Sequence, residues 1–196
     1  MTDFQSLLDA AAADPRSRAW DEIWQRSNDQ GEYHAASAEL LPWLATTCAA
    51  FRPEDREKAL ILAGFVAVDA PETRREHYAA DIAALRTMAL DRLPVTPSPD
   101  GDFVYLLQAV LGFEGDERWG KELDRINDGE ADVTCPSCEN DMYMDLAETE
   151  PGLPGPLAIR LHGLALAAGR EAVATAITHL FGRTTCSACG EAFRAL

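Results

Sequence analysis

The residues best suited to chemistry are four cysteines, Cys135-Pro-Ser-Cys138 and Cys186-Ser-Ala-Cys189. Two intervening residues let both sulfurs of a tight turn face one ion. Two such turns supply four thiolates, the ligand set of a closed, tetrahedral structural zinc site. Thr134 and Thr185 lead into the turns, and Asn140 and Gly190 can end them with a positive φ. In such a knuckle the backbone N–H groups donate to sulfur and stabilise its charge. Two disulfides or a redox pair are the competing readings. The first needs an oxidising compartment and the second a βαβ setting, and neither is indicated. With four protein ligands no position remains for water, so the expected zinc holds structure and performs no reaction.

The elements that must position these cysteines follow from the hydropathy pattern. Between Cys138 and Cys186 lie 47 residues, far beyond the ~15–20 of a compact four-cysteine site. Short β-like pieces flank the turns at 132–134, 142–146, 184–185 and 192–196. The proline-rich loop Glu150–Pro156 leads into two helices, about 157–168 and 170–181, divided by Gly169. The expectation is a zinc ribbon over 128–196, interrupted by a helical hairpin at 157–181 that docks on the helices before it.

Residues 1–127 read as helical throughout, with no strand pattern before residue 130. Thr2-Asp-Phe-Gln5 has capping-box spacing for a helix ending near Ala13. Asp14-Pro15 starts the next, which runs to Asn28. A helix over 32–51 contains Pro42 and should kink there, because proline removes a backbone donor. Arg52-Pro53 opens a helix that Asp69-Ala-Pro71 stops, and another spans 71–93. Pro94–Gly101 is a break, and 103–113 with 117–126 read as a hairpin turning at Gly115. Short turns between helices imply antiparallel pairs stacked side by side. The fold class is thus mainly α, a domain over 1–127 followed by the cysteine-bearing 128–196.

Composition limits the function. Formal net charge is −16, and hydrophobic residues make up 47%, enough for a sizeable core. Such an acidic chain disfavours nucleic acid and anionic membrane, which demand clustered cations. Charge is also uneven: residues 128–150 hold eight acids and no base, whereas 151–196 hold two acids and four arginines. A like-charged run is ordinarily a solvated face, yet beside a thiolate site it can steer a basic partner. Arginine outnumbers lysine 15 to 2, as expected of a GC-rich bacterial genome. No apolar run reaches the ~18 residues of a membrane span. The first residues lack a basic leader pattern, so a cytoplasmic setting with reduced thiols is expected.

Other candidates read first as structure. His34, His77, His162 and His179 form no metal motif, although His162 and His179 sit on opposite arms of one hairpin. Trp20, Trp24 and Trp43 could line a binding face but have the helical spacing of core residues. Cys48 reads as a small buried residue. No phosphate loop, nucleophile elbow or dinucleotide motif occurs, so an enzyme is not expected.

Trp20-Asp-Glu-Ile-Trp24, Asp29-Gln-Gly31, Tyr33-His-Ala-Ala36 and Leu40-Leu-Pro-Trp-Leu44 resemble bacterial HEAT-like helical-repeat proteins. In those, a helix ending in a Gln-Gly turn leads into one with an interior proline. Some are similar at the C-terminus too, with a split cysteine knuckle pair. The resemblance covers roughly residues 15–90 and the knuckles, and carries no catalytic motif. It implies a non-enzymatic interaction module, of a type presumed to act as immunity proteins beside toxin systems. Where such turns often carry His, this chain has Asp29, so no site is implied there. The alternative is a zinc ribbon binding nucleic acid through Arg160, Arg170, Arg183 and Arg194.

Overall fold

A computed structural model describes residues 3–29, 32–95 and 97–194. The chain is mainly helical, with three two-stranded antiparallel sheets among the described residues. No helix among them is long and apolar enough to cross a membrane. Contacts divide the chain into two compact units. One holds the residues before 96 together with Tyr105–Glu122, and the other holds Pro97–Val104 and the residues from Leu123 onward.

The first unit begins with α1, Phe4–Ala13, and α2, Ala19–Ser27. The expected capping residue Thr2 lies outside the described residues. Helix α2 starts later than Asp14-Pro15 suggests. Asp14 instead accepts the Arg16 N–H at 2.9 Å and forms a turn, and the Ser17 hydroxyl accepts the Ala19 N–H at 3.2 Å. Next come β1, Asn28–Asp29, and β2, Glu32–Tyr33, which pair antiparallel. This corrects the expectation of no strand before residue 130; strands of two residues are too short to show an alternation. The Gln30-Gly31 turn lies outside the described residues.

Pro42 does not kink a long helix. Ala35–Leu40 is 3-10, and α3, Leu41–Ala50, begins with Pro42 in its first turn. There the missing N–H would have had no intrahelical acceptor anyway. Helix α4 is Glu57–Asp69, and the expected helix over 71–93 divides into α5, Glu72–His77, and α6, Ala79–Arg92. Tyr78 separates them at φ −101° and ψ 22°, its hydroxyl on the Glu39 carboxylate. Helix α7, Asp100–Glu114, is followed by two single turns, α8 (Trp119–Glu122) and α9 (Arg125–Asp128). The second arm of the expected hairpin is therefore broken.

Helix α4 meets the C-terminal half of α7 at glycine. A Cβ on Gly64 would fall onto Ala109, and one on Gly112 onto the Gly64 carbonyl. The adjoining helix ends are tied by Arg75, whose guanidinium donates to the carbonyls of Ala67, Gly112 (3.0 Å) and Phe113 (2.9 Å). Carbonyls in a last helical turn lack intrahelical partners, so one side chain closes two helix ends. Trp20 is 1% exposed and packs on Trp43 at 5.4 Å and Phe51 at 6.2 Å. Trp24, Tyr33 and Phe65 pack together in the same unit, with Tyr33 and Phe65 stacked. The tryptophans thus serve packing.

The second unit contains β3, Glu130–Thr134, paired with β4, Asp141–Asp145; α10, Pro156–Ala167; α11, Glu171–Leu180; and β5, Arg183–Thr185, paired with β6, Ala192–Arg194. Each expected β-piece is present, with boundaries moved by one or two residues; Ala195 and Leu196 lie outside the described residues. Leu161, Ala165, Ile177, Leu180 and Phe181 are buried. Gly169, at φ 70°, turns α10 into α11. Arg170 follows it, donating to Asp100 at 2.9 Å and the Ser98 carbonyl at 2.7 Å, and lies 5.6 Å from the Phe103 ring.

Because Gly64 lies against the Ala109 backbone, Gly64→Val should lower stability by about 1–3 kcal/mol. Chemical denaturation followed by tryptophan fluorescence measures this. An unchanged midpoint would show that the two helices separate there at no cost.

Candidate metal centre

Each cysteine pair sits on the loop of a β-hairpin. Thr134 pairs with Asp141 and Thr185 with Ala192, so the loops span 135–140 and 186–191. The two loops fold alike. The Cys135 N–H donates to the Asn140 carbonyl at 3.0 Å, and the Cys186 N–H to Glu191 at 2.8 Å. The Glu139 N–H returns to Cys135 at 2.9 Å, and the Gly190 N–H to Cys186 at 2.9 Å. The residue after the second cysteine has positive φ in both, 57° for Glu139 and 75° for Gly190. The first loop therefore places this conformation on Glu139, not on Asn140. The pattern of bonds selects the position, whether or not glycine occupies it.

Two backbone pairs bring the hairpins together across the long spacer. Glu150 and Arg183 exchange N–H···O bonds of 2.9 and 2.8 Å, forming an isolated antiparallel bridge. The Gly152 N–H donates to the Thr178 carbonyl at 2.8 Å. Gly182 permits this approach, since a Cβ there would collide with the Glu150 carbonyl.

The four sulfurs lie within 4.8 Å of one another. Cys135 and Cys189 are 3.7 Å apart, and Cys138 and Cys186 3.6 Å. A tetrahedron with metal–sulfur bonds of ~2.3 Å has edges of about 3.8 Å. A disulfide is ~2.05 Å long, and all five cysteines are free. Cys135 and Cys186 are buried while Cys138 and Cys189 are exposed, so the set sits at the surface with one face toward the protein.

The electrostatics of the thiols follow from this geometry. The backbone N–H groups of Cys189 and Ala188 hold the Cys186 thiol down to about 6. Cys138 goes the other way. The N–H of Asn140 pulls it down, yet the neighbouring Cys189 sulfur and burial drive it up to about 12. Four sulfurs this close cannot all ionise at neutral pH unless a cation neutralises them. The donor set and spacing therefore fit one soft or borderline divalent ion.

Among the described residues no other group of three or more His, Cys, Asp or Glu gathers in this way. His179 is engaged with Thr149, Nδ1 to Oγ1 at 3.1 Å, and His77 packs edge-on against Tyr78. Cys48 is fully buried, and burial pushes its thiol up to about 12, which makes it inert. The sequence reading did not find the groove that His179 lines with Asp128, Glu130 and Asp145. Only the acidic run hinted at it. No family model, curated protein or solved structure matches the chain.

Glu139 is exposed and adopts a backbone conformation that a Cβ disfavours. Glu139→Gly should stabilise the second unit by up to about 1 kcal/mol. Thermal unfolding with metal content measured in parallel reads this out. A fall in stability would mean that the Glu139 side chain contributes something its exposure does not suggest.

Proposed function

We propose that the chain is a non-enzymatic interaction module, clipped by a structural zinc ion, that docks a basic protein. The observation that carries this reading is the acidic hairpin at the metal centre. Glu130, Asp132, Asp141 and Asp145 lie on the exposed residues of β3–β4, next to a thiolate set that stays net negative with one divalent ion. Zinc is favoured because four cysteine sulfurs at tetrahedral spacing are its usual structural ligands, and a closed set leaves no place for substrate or water. In this reading β3–β4 and β5–β6 are the halves of a split zinc ribbon, and the helices before residue 127 form a HEAT-like stacked scaffold. A basic toxin neutralised by an immunity protein is the type of partner that suits it.

The nucleic-acid alternative draws on one observation, Arg183 opposite Arg194 across β5–β6. Arg170, by contrast, is held by Asp100 and Ser98. Salt dependence does not separate the two readings, but direct binding to a polymer does. The chain alone should bind an immobilised polycation and pass over an immobilised polyanion.

Metal analysis of protein purified without added metal should give about one zinc per chain. Cys135→Ser or chelation should remove hydrogen-exchange protection from β3–β4 and β5–β6 while α4 keeps its own, because metal binding contributes on the order of 10–16 kcal/mol to such folds. A ratio near zero with two disulfides would sink the zinc reading.

Neutralising Asp132, Glu139, Asp141 and Asp145 together should slow association with a basic partner more than it speeds dissociation, since exposed charges act chiefly on encounter. Zinc content should not change. Association rates at low and moderate salt decide it, and a salt-independent rate would reduce the run to a solvated loop.

A further inference from the structure

The second unit contains a shallow, open groove of about 510 Å³ between the open end of β3–β4 and α11. Its lining combines apolar Ile126, Leu146, Ala172 and Ala176 with acidic Asp128, Glu130 and Asp145. The strand register places Glu130 directly opposite Asp145, an arrangement of like charges that destabilises a hairpin. Neither residue, nor Asp128, has a cationic partner among the described residues. The carboxylates are also too dispersed to share one metal ion, since the cysteines form the single such group among the described residues. They suit charges spaced along a chain.

His179 also lines the groove, its Nδ1 3.1 Å from the Thr149 hydroxyl. The carboxylates of the lining accept hydrogen bonds, beside apolar residues that take methylene groups. Arginine and lysine combine donors only with long aliphatic stems. Along the same strand face, Tyr143 is 67% exposed and sits opposite Asp132, where a cation can lie over its ring.

We propose that this groove and the outer face of β3–β4 receive a basic segment of the partner protein. Its arginine or lysine stems lie on Leu146, Ala172 and Ala176, and their charged ends reach Asp128, Glu130 and Asp145. A further cation covers Tyr143. The inference rests on the basic-partner reading and gives that partner a place to bind.

The test uses the full chain, labelled with ¹⁵N and carrying its metal, and a blocked octapeptide alternating arginine and valine. A second octapeptide with citrulline for arginine keeps the shape and removes the charge. The arginine peptide should shift amides at 126–147 and 172–179, and the citrulline peptide should not. Glu130→Gln with Asp145→Asn should weaken binding about tenfold, and Tyr143→Ala about threefold. The double variant removes a like-charge pair, so its fold and metal content should persist. Binding that shifts other amides would overturn this site while sparing the basic-partner reading. Failure of the arginine peptide to bind anywhere would overturn both. Concentration-dependent shifts of the same amides without peptide would assign the face to a second copy of the chain and overturn the proposal.

Discussion

Four sulfur atoms confined within 4.8 Å are an electrostatic problem before they are a binding site. Ionised together they repel, and protonated together they gain little from one another, so the arrangement is stable chiefly around a cation. The second unit is built to meet that condition. Each hairpin loop turns backbone N–H groups toward its sulfurs, Asn140 toward Cys138 and Cys189 with Ala188 toward Cys186. The Glu150–Arg183 bridge sets the distance between the loops. A hairpin alone is marginal in water, and neither β3–β4 nor β5–β6 has a third strand among the described residues. The helices α10 and α11, and an ion when one is bound, would supply what the two small sheets cannot.

The two hairpins repeat one local design with opposite decoration. Glu139 and Gly190 occupy equivalent positions, as do Asn140 and Glu191. Yet the first hairpin pairs Glu130 with Asp145 and the second pairs Arg183 with Arg194. Local backbone geometry is therefore shared, while the surface charge is free to differ. The acidic hairpin is the one that continues into a groove lined in part by apolar residues.

What could be read from the sequence depended on the range of the interaction involved. The cysteine pairs and the Gly169 turn between two helices are set by residues within a turn or two, and their patterns were visible. Pro42 was misread because a proline in a first turn and one in an interior look alike until the preceding residues are known to be 3-10. The break at Tyr78 accompanies a bond to Glu39, distant in sequence. The β1–β2 pair is too short to have a period. No local pattern marks Gly64, and only the approach of the Ala109 backbone explains it. The cysteine cluster was legible, whereas the groove was not, since α11 and β3–β4 are separated by the 25 residues 146–170.

The Glu150–Arg183 bridge also changes how far apart the two cysteine pairs effectively are. Along the chain, Cys138 and Cys186 are separated by 48 positions. Across the bridge the path runs from Cys138 to Glu150 and from Arg183 to Cys186, only about 15 positions, which is the spacing of a compact four-cysteine site. Loop-closure entropy grows with the logarithm of length, so the shortcut is worth about 1 kcal/mol to ion capture once the bridge has formed. The helical pair between them leaves and rejoins the cysteine hairpins at this bridge and at the adjoining Gly152–Thr178 bond. To an ion held by the four cysteines it would be a side branch, and the contour that matters would be the short one.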